Sequence, residues 1–141
     1  MPRPPPPTHW KLRFLYVGTS DIARDVKFYC DVLGAKLVWC FHSFGADVAA
    51  VSLGEGPPLL LADHMAAPSC ELIFEVKDLD ATTAALNGRG WKGEGEPFEI
   101  PNGPCVVFLD PSGNRIALFE DIRPGAMESS YADDGNERAV R

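Results

Sequence analysis

The stretch RFLYVGTSDIARDVKFYCDVLGAKLVW, residues 13–39, contains the pattern that decides the fold. It begins with an apolar segment of strand type, and Asp21 then stands where a helix N-cap is expected, because its side chain can accept from free backbone N–H groups. Apolar residues recur at helical spacing along one stripe, namely Ile22, Val26, Tyr29 and Leu33. Gly34 predicts the end of that helix, and a second strand-type segment follows. The stretch therefore predicts a β-α-β unit.

The same order recurs in ELIFEVKDLDATTAALNGRGWKG, residues 71–93. Asp78 follows Asp21 by 57 positions (78 − 21 = 57), and Gly90 follows Gly34 by 56 (90 − 34 = 56). An internal repeat of this length predicts two similar modules that pack together.

Three strand-like segments follow each predicted helix. In the first half they are KLVWCFH, DVAAVSL and PPLLLAD, and in the second half they are WKGEGEPFEI, PCVVFLD and NRIALFE. Each half therefore predicts β-α-β-β-β, with module boundaries at about 11–65 and 69–122. We expect a proline-rich arm before them at 1–10 and a polar, acidic tail after them at 123–141.

Three motifs carry a resemblance to a known family. FYCDVLG ends the first helix, FEVKDLDA opens the second module and DPSGNRIALFE ends it. Together with the tandem plan they resemble the glyoxalase, bleomycin-resistance and extradiol dioxygenase superfamily, the vicinal oxygen chelate proteins, over about residues 11–121. The resemblance implies a single α+β domain in which two tandem βαβββ modules form a curled mixed sheet around a ligand cleft. It does not choose a function, because this fold hosts lyases, isomerases, dioxygenases and antibiotic-binding proteins.

Enzymes of that family usually hold a divalent metal on four side chains, one from the first and one from the last strand of each module. Strand alternation turns Leu72, Phe74 and Val76 toward the helix, so that the cleft receives Glu71, Ile73 and Glu75. The resemblance matches the family's ligands of the second module to Glu71 and Ala117, and a shift of 57 positions gives Phe14 and Leu60 in the first. Phe, Leu and Ala have no atom that can coordinate a metal.

One carboxylate is too few for a metal site, because a catalytic zinc needs about three protein ligands. We therefore predict no metal and no cofactor. The alternative is a divalent metal held by displaced ligands, namely Glu71, His42 and His64. Whether a reaction is catalysed stays open; Glu71, in an apolar wall that raises its pKa, is the one candidate general base.

The remaining prediction is a ligand-binding wall. Its expected members are Phe14, Tyr16, Leu60, Ile73, Ala117 and Phe119, with charge from Glu71 and Glu75 and aromatic rings from Trp39 and Phe41. The alternation leaves open whether Trp39 and Phe41 or their neighbours face inward. We expect a protein of the bleomycin-resistance kind that sequesters a hydrophobic or cationic small molecule such as an antibiotic; the alternative is a metal-dependent lyase, isomerase or dioxygenase.

Composition limits the partners. The 141 residues suffice for one domain with one core. A net charge of −7 argues against nucleic acid, whose binding needs clustered Lys and Arg. No apolar run approaches the ~20 residues of a membrane span, and no apolar segment follows Arg3 in the arm as a secretory signal requires. We expect a cytoplasmic homodimer, in which the modules pair within one chain or between two.

Overall fold

The computed structural model describes residues 10–43, 46–90 and 93–126. The first module contains β1 (Lys11–Gly18), α1 (Ile22–Lys27), β2 (Lys36–Ser43), β3 (Ala46–Ser52) and β4 (Leu59–Ala62). The second contains β5 (Cys70–Val76), α2 (Leu79–Gly88), β6 (Phe98–Ile100), β7 (Gly103–Leu109) and β8 (Arg115–Glu120). Both helices begin at the predicted aspartates, since Asp21 accepts from the Arg24 N–H at 3.1 Å and Asp78 from the Ala81 N–H at 3.0 Å.

The eight strands of the described ranges form one mixed sheet in the order β2-β3-β4-β1-β5-β8-β7-β6. The modules meet at its centre, where β1 and β5 pair antiparallel. On either side of that pair the contact is parallel, between β1 and β4 and between β5 and β8. The predicted α+β fold, with two tandem βαβββ modules in a curled sheet, is confirmed.

The shift of 57 positions also relates the strand registers of the two modules. Tyr16 pairs with Leu60 in the first module, and Ile73 pairs with Ala117 in the second (73 − 16 = 57; 117 − 60 = 57). Where the modules meet, Phe14 pairs with Ile73 and Tyr16 with Glu71. The internal repeat therefore corresponds to an approximate two-fold symmetry, which relates the inward-facing positions of one module to those of the other.

The two helices cover the outer face of the sheet. Ile22, Val26 and Tyr29 of the predicted stripe pack on an outer cluster with Val51 and Leu61. Leu33, the fourth predicted member, is instead 48% exposed. A π-helical turn at Phe28–Val32 follows α1, and its wider turn takes Leu33 off the stripe that the 3.6-residue period predicts.

The last predicted segments differ most from expectation. In the described part of the strand predicted over 91–100, residues 93–100, the structure has a strand at Phe98–Ile100 and an isolated bridge from Gly93 to Phe108. Gly95, with φ +79°, and Pro97 interrupt extended pairing between them. Trp91 lies outside the described residues, as do arm residues 1–9 and tail residues 127–141. Trp10, the last residue of the predicted arm, packs against Phe74 with ring centroids 5.8 Å apart. No helix within the described ranges has the length and apolar character needed to cross a membrane.

Candidate functional site

The structure brings the predicted wall residues together on the concave face of the sheet. The most buried of them form one cluster, with exposures of 0–6%: Phe14, Trp39, Leu60, Ala117 and Phe119. Tyr16, Phe41 and Ile73 pack against this cluster and are partly exposed. The wall is apolar as expected, but the side chains largely fill the space between the modules. A ligand in contact with the cluster must therefore displace some of them.

A bulge in β2 decides which of its residues face inward. The register with β3 shifts between Leu37 and Trp39, which leaves Val38 as an extra residue. Leu37 consequently packs in the outer cluster and Trp39 in the inner one, although they are two residues apart. Alternation alone could not settle this orientation.

The four positions that match the family's metal ligands do not supply a ligand set. Phe14, Leu60 and Ala117 are 4%, 3% and 3% exposed and contribute only hydrocarbon. Within the described ranges, no three His, Cys, Asp or Glu side chains are grouped so that they could hold an ion. The alternative trio is not assembled there: His42 lies on edge strand β2 beside Asp47, and His64 contacts Tyr16. The residues present therefore do not fit the divalent metal that the family implies.

Glu71, the fourth position, is a buried carboxylate with an arginine beside it. It is 6% exposed, and its Oε1 lies 3.6 Å from Arg115 Nε, an ion pair longer than a hydrogen bond. That Nε atom is buried and has no hydrogen-bond partner, while Nη1 of the same guanidinium binds Glu94 at 2.9 Å. Burial raises the pKa of Glu71, and the positive charge of Arg115 offsets only part of that effect.

Tyr16 lies across the strand pair from Glu71. Its hydroxyl is 3.0 Å from His64 Nε2, and the two rings meet edge to face. Burial raises the pKa of the Tyr16 hydroxyl above its ordinary value, with a further rise from the negative charges of Glu71 and Asp63. This hydroxyl therefore stays protonated at neutral pH and can donate a hydrogen bond.

The segment after β4 covers this end of the concave face. Met65 packs against the inner cluster, and the Gly18 N–H donates to the Ser69 carbonyl at 3.2 Å. A Cβ on Gly18 would lie 2.2 Å from the Ala66 carbonyl oxygen. Only glycine allows this close approach, so Gly18 fixes the position of the covering segment.

The opposite end of the concave face is closed by Arg13. Its Nη1 contacts the Glu75 carboxylate and lies 3.3 Å from Asp121 Oδ2. The guanidinium carbon stands 5.4 Å and 5.6 Å from the ring centroids of Phe14 and Phe119. Burial lowers the pKa of Arg13, but hydrogen bonds to the two carboxylates raise it above its ordinary value, so the guanidinium is charged.

Sequence reasoning missed both arginines. Arg115 has the same strand parity as Ala117, so alternation from the inner position already predicted would have found it. Arg13 precedes Phe14 and should face outward by alternation. It turns inward because the β1–β5 register shifts between Leu12 and Phe14, and no residue type in this stretch signals that bulge.

A separate cavity of about 300 Å³ lies on the outer side of the sheet, between α1 and strands β2 and β3. Its lining includes Ile22, Val26, Cys40 and Asp47, and none of the predicted wall residues. It holds one Lys and one Asp among mainly apolar side chains.

Fold and site together define a two-module α+β domain with an apolar concave face between its modules. The family model of the Glyoxalase/Bleomycin resistance protein/Dioxygenase superfamily matches residues 11–118. The chain belongs to that superfamily, as its motifs predicted. No curated protein sequence matches it significantly.

Solved structures share the fold at low sequence identity. Methylmalonyl-CoA epimerase from Mycobacterium tuberculosis superposes with a TM-score of 0.68 at 21% identity, covering 83% of this chain and 91% of the epimerase. A hypothetical protein from Bacillus halodurans C-125 gives 0.66 at 15% identity, with 80% and 95% covered. A variant of the Streptomyces coelicolor methylmalonyl-CoA epimerase, in complex with 2-nitronate-propionyl-CoA, gives 0.64 at 15% identity, also with 80% and 95% covered.

Proposed function

We propose that this protein binds a small, mainly apolar molecule on the concave face between its modules, without a resident metal ion. The observation that carries the proposal is the chemistry of the four symmetry-related positions. Three of them hold the buried hydrocarbon side chains of Phe14, Leu60 and Ala117, and the fourth holds a carboxylate paired with Arg115. An apolar wall of this kind favours ligand burial over ion coordination.

An uncharged ligand suits the site better than the cationic one that the sequence also allowed. Glu71 has Arg115 at 3.6 Å, and Glu75 has Arg13. An external cation would have to displace an arginine that is covalently part of the chain. Both carboxylates expected to attract cations are therefore already paired, although each arginine is shared with a second carboxylate, Glu94 or Asp121.

Polar recognition is available at the end where Tyr16 and His64 meet. Both side chains keep some exposure, and the Tyr16 hydroxyl can donate to a carbonyl or hydroxyl group of a ligand. Burying ~300 Å² of ligand surface gives ~7 kcal/mol before association costs of at least ~4 kcal/mol. One or two such hydrogen bonds, at ~1 kcal/mol each, bring the net binding free energy to ~4–5 kcal/mol, which corresponds to a dissociation constant on the order of 10⁻⁴ to 10⁻³ M. Antibiotic sequestration is one use of such a site.

Proton transfer is the second candidate function. Glu71 combines burial, a raised pKa and a cross-strand tyrosine, which are properties of a general acid or base. The epimerases that share the fold are enzymes by name. Exchange of a substrate C–H with deuterated solvent, lost in Glu71→Gln, would establish this function instead of passive binding.

The test of binding uses a neutral apolar fluorophore, 1-N-phenylnaphthylamine, titrated against the intrinsic tryptophan emission of the protein. Leu60 and Leu61 are adjacent in β4 and 3% and 1% exposed, but they pack on the concave and outer clusters respectively. Leu60→Ala and Leu61→Ala should both lose ~2–5 kcal/mol of stability. Only Leu60→Ala should change probe affinity, by about threefold or more, because only that cavity opens on the concave face.

Two results would contradict the proposal. One is probe affinity that responds to Leu61→Ala and not to Leu60→Ala, which would place binding on the outer face of the sheet. The other is a stoichiometric Zn, Ni, Mn or Fe ion retained after purification without chelator.

The oligomeric state and the location extend the proposal. We propose a homodimer, supported by exposed apolar side chains at the end of the first helical segment, Phe28, Val32 and Leu33, which are 48–67% exposed. Light scattering coupled to size exclusion tests it, and a monomeric mass at micromolar concentration would refute it. The cytoplasmic location expected from the sequence stays a prediction.

A further inference from the structure

Arg13 occupies an irregular position in β1. The pairing with β5 runs from Leu12 with Phe74 directly to Phe14 with Ile73, so Arg13 is the extra residue of a bulge. A bulge re-aims side chains that regular alternation would separate. Arg13 and Phe14 consequently both reach Phe119 on the concave face.

Two aromatic faces and two carboxylates surround this guanidinium. The rings of Phe14 and Phe119 stack at 6.4 Å with 25° between their planes, and both lie within 6 Å of the guanidinium carbon. Glu75 and Asp121 contact its Nη1, and the three charged side chains are only 21%, 31% and 12% exposed. Asn102, which is fully buried, donates to the other Asp121 oxygen at 3.4 Å. Aromatic faces with flanking carboxylates are the groups that recognise ammonium and guanidinium ligands.

We propose that Phe14, Phe119, Glu75 and Asp121 form a cation-binding cage whose occupant is the chain's own Arg13. By occupying the cage, Arg13 prevents cationic ligands from binding to this part of the concave face. The specificity role rests on the proposed small-molecule function, whereas the cage itself does not. A tethered guanidinium has a far higher effective concentration than a free one. External cations are therefore excluded from the intact protein, and ligands at this end are neutral, because one arginine faces two carboxylates.

The cage predicts a defined chemistry when its occupant is removed. Arg13→Ala leaves a space beside the stacked Phe14 and Phe119 rings with two uncompensated carboxylates, suited to a planar cation of guanidinium size. The variant should lose roughly 5–10 °C in Tm, because one partner of a partly buried ion pair is missing. Methylguanidinium, at concentrations far below those that denature proteins, should restore part of that loss, while equal concentrations of NaCl should not.

Arg123→Ala is the matched control. Arg123 also pairs with a carboxylate, Glu99 at 2.8 Å, but both side chains are about half exposed or more. Its removal should give no methylguanidinium-specific rise in Tm, and neither should the unmodified protein. A rise of equal size in all three proteins, or none in folded Arg13→Ala, overturns the proposal.

A second variant keeps the test decisive if Arg13→Ala does not fold. Arg13→Ala/Glu75→Gln carries one uncompensated carboxylate fewer and retains both rings and Asp121. It should show a smaller but still selective stabilisation by methylguanidinium, and its absence in this folded variant also overturns the cage. Failure of the neutral fluorophore to bind the unmodified protein would refute the proposed function and leave the cage intact, so the two failures are distinguishable.

Discussion

Removing Arg115 should reveal how the concave face tolerates its buried carboxylate. In Arg115→Met, Glu71 stays 6% exposed but loses the guanidinium 3.6 Å away. Breaking a fully buried ion pair costs ~3–5 kcal/mol. Because Arg115 is 42% exposed, solvent screens much of the interaction, and we expect a loss of about 2 kcal/mol, or roughly 6–8 °C in Tm.

The loss should depend on pH in a defined direction. Burial raises the folded-state pKa of Glu71, and Arg115 opposes that rise; without Arg115 the folded-state pKa rises further above the ~4.3 of an unfolded glutamate. The folded state then binds the proton more tightly than the unfolded state does. The variant should therefore be nearly as stable as the unmodified protein near pH 4, lose stability as the pH rises through the folded-state pKa, and stay at a constant deficit above it.

Urea unfolding at a series of pH values from 4 to 8 measures this difference. Arg115→Met/Glu71→Gln should recover most of the neutral-pH loss, because no buried charge remains. Arg123→Met, which breaks an exposed pair with Glu99 and exposed hydrogen bonds to the Ile100 and Pro101 carbonyls, should cost about 1 kcal/mol without a pH step. A deficit for Arg115→Met that is equal at pH 4 and pH 8, or no recovery in the double variant, would refute the reasoning.

Two further predictions concern close packing and thiol reactivity. Gly18→Ala should cost about 1–3 kcal/mol and increase proteolysis of the segment after β4, because its Cβ would lie 2.2 Å from the Ala66 carbonyl. Gly88→Ala, a helical site with no atom within 4 Å, should gain about 0.5 kcal/mol in urea unfolding; an equal effect at both sites would contradict this reading. Burial raises the pKa of Cys105 to about 12. Ellman's reagent at pH 8 should therefore modify the exposed Cys70 quickly and Cys105 only when the protein unfolds. Rapid labelling of Cys105 in the folded protein would contradict this and would show that the concave face opens readily.

Much of the fold could be predicted because its signals are local and repeated. Asp21 and Asp78 each begin a helix, and a constant shift of 57 carries an assignment made in one module to the other. Side-chain alternation then places Ile73 and Ala117 opposite each other, as the register shows. These inferences depend only on strand period and capping chemistry.

The remaining features depend on insertions of one residue, which leave no compositional trace. The extra residues Arg13 and Val38 each change which side chains face inward in the part of the strand that follows. A π-helical turn likewise exposes Leu33. Packing across the concave face is equally nonlocal. Sequence predicts which side chains line a wall, but whether they leave a cavity depends on the distance between the modules.

The two ends of the concave face differ in a way that bears on ligand entry. By the shift of 57, Asp121 is the second-module equivalent of His64 (121 − 64 = 57), and Cys70 is the equivalent of Arg13 (70 − 13 = 57). One end thus holds an arginine bound to two carboxylates, and opening it requires separating charges. The other end holds a hydrogen bond between the Tyr16 hydroxyl and the His64 imidazole under a short covering segment. Opening there costs about one hydrogen bond and the contacts of Met65, so the two-fold related modules favour entry at the Tyr16 end.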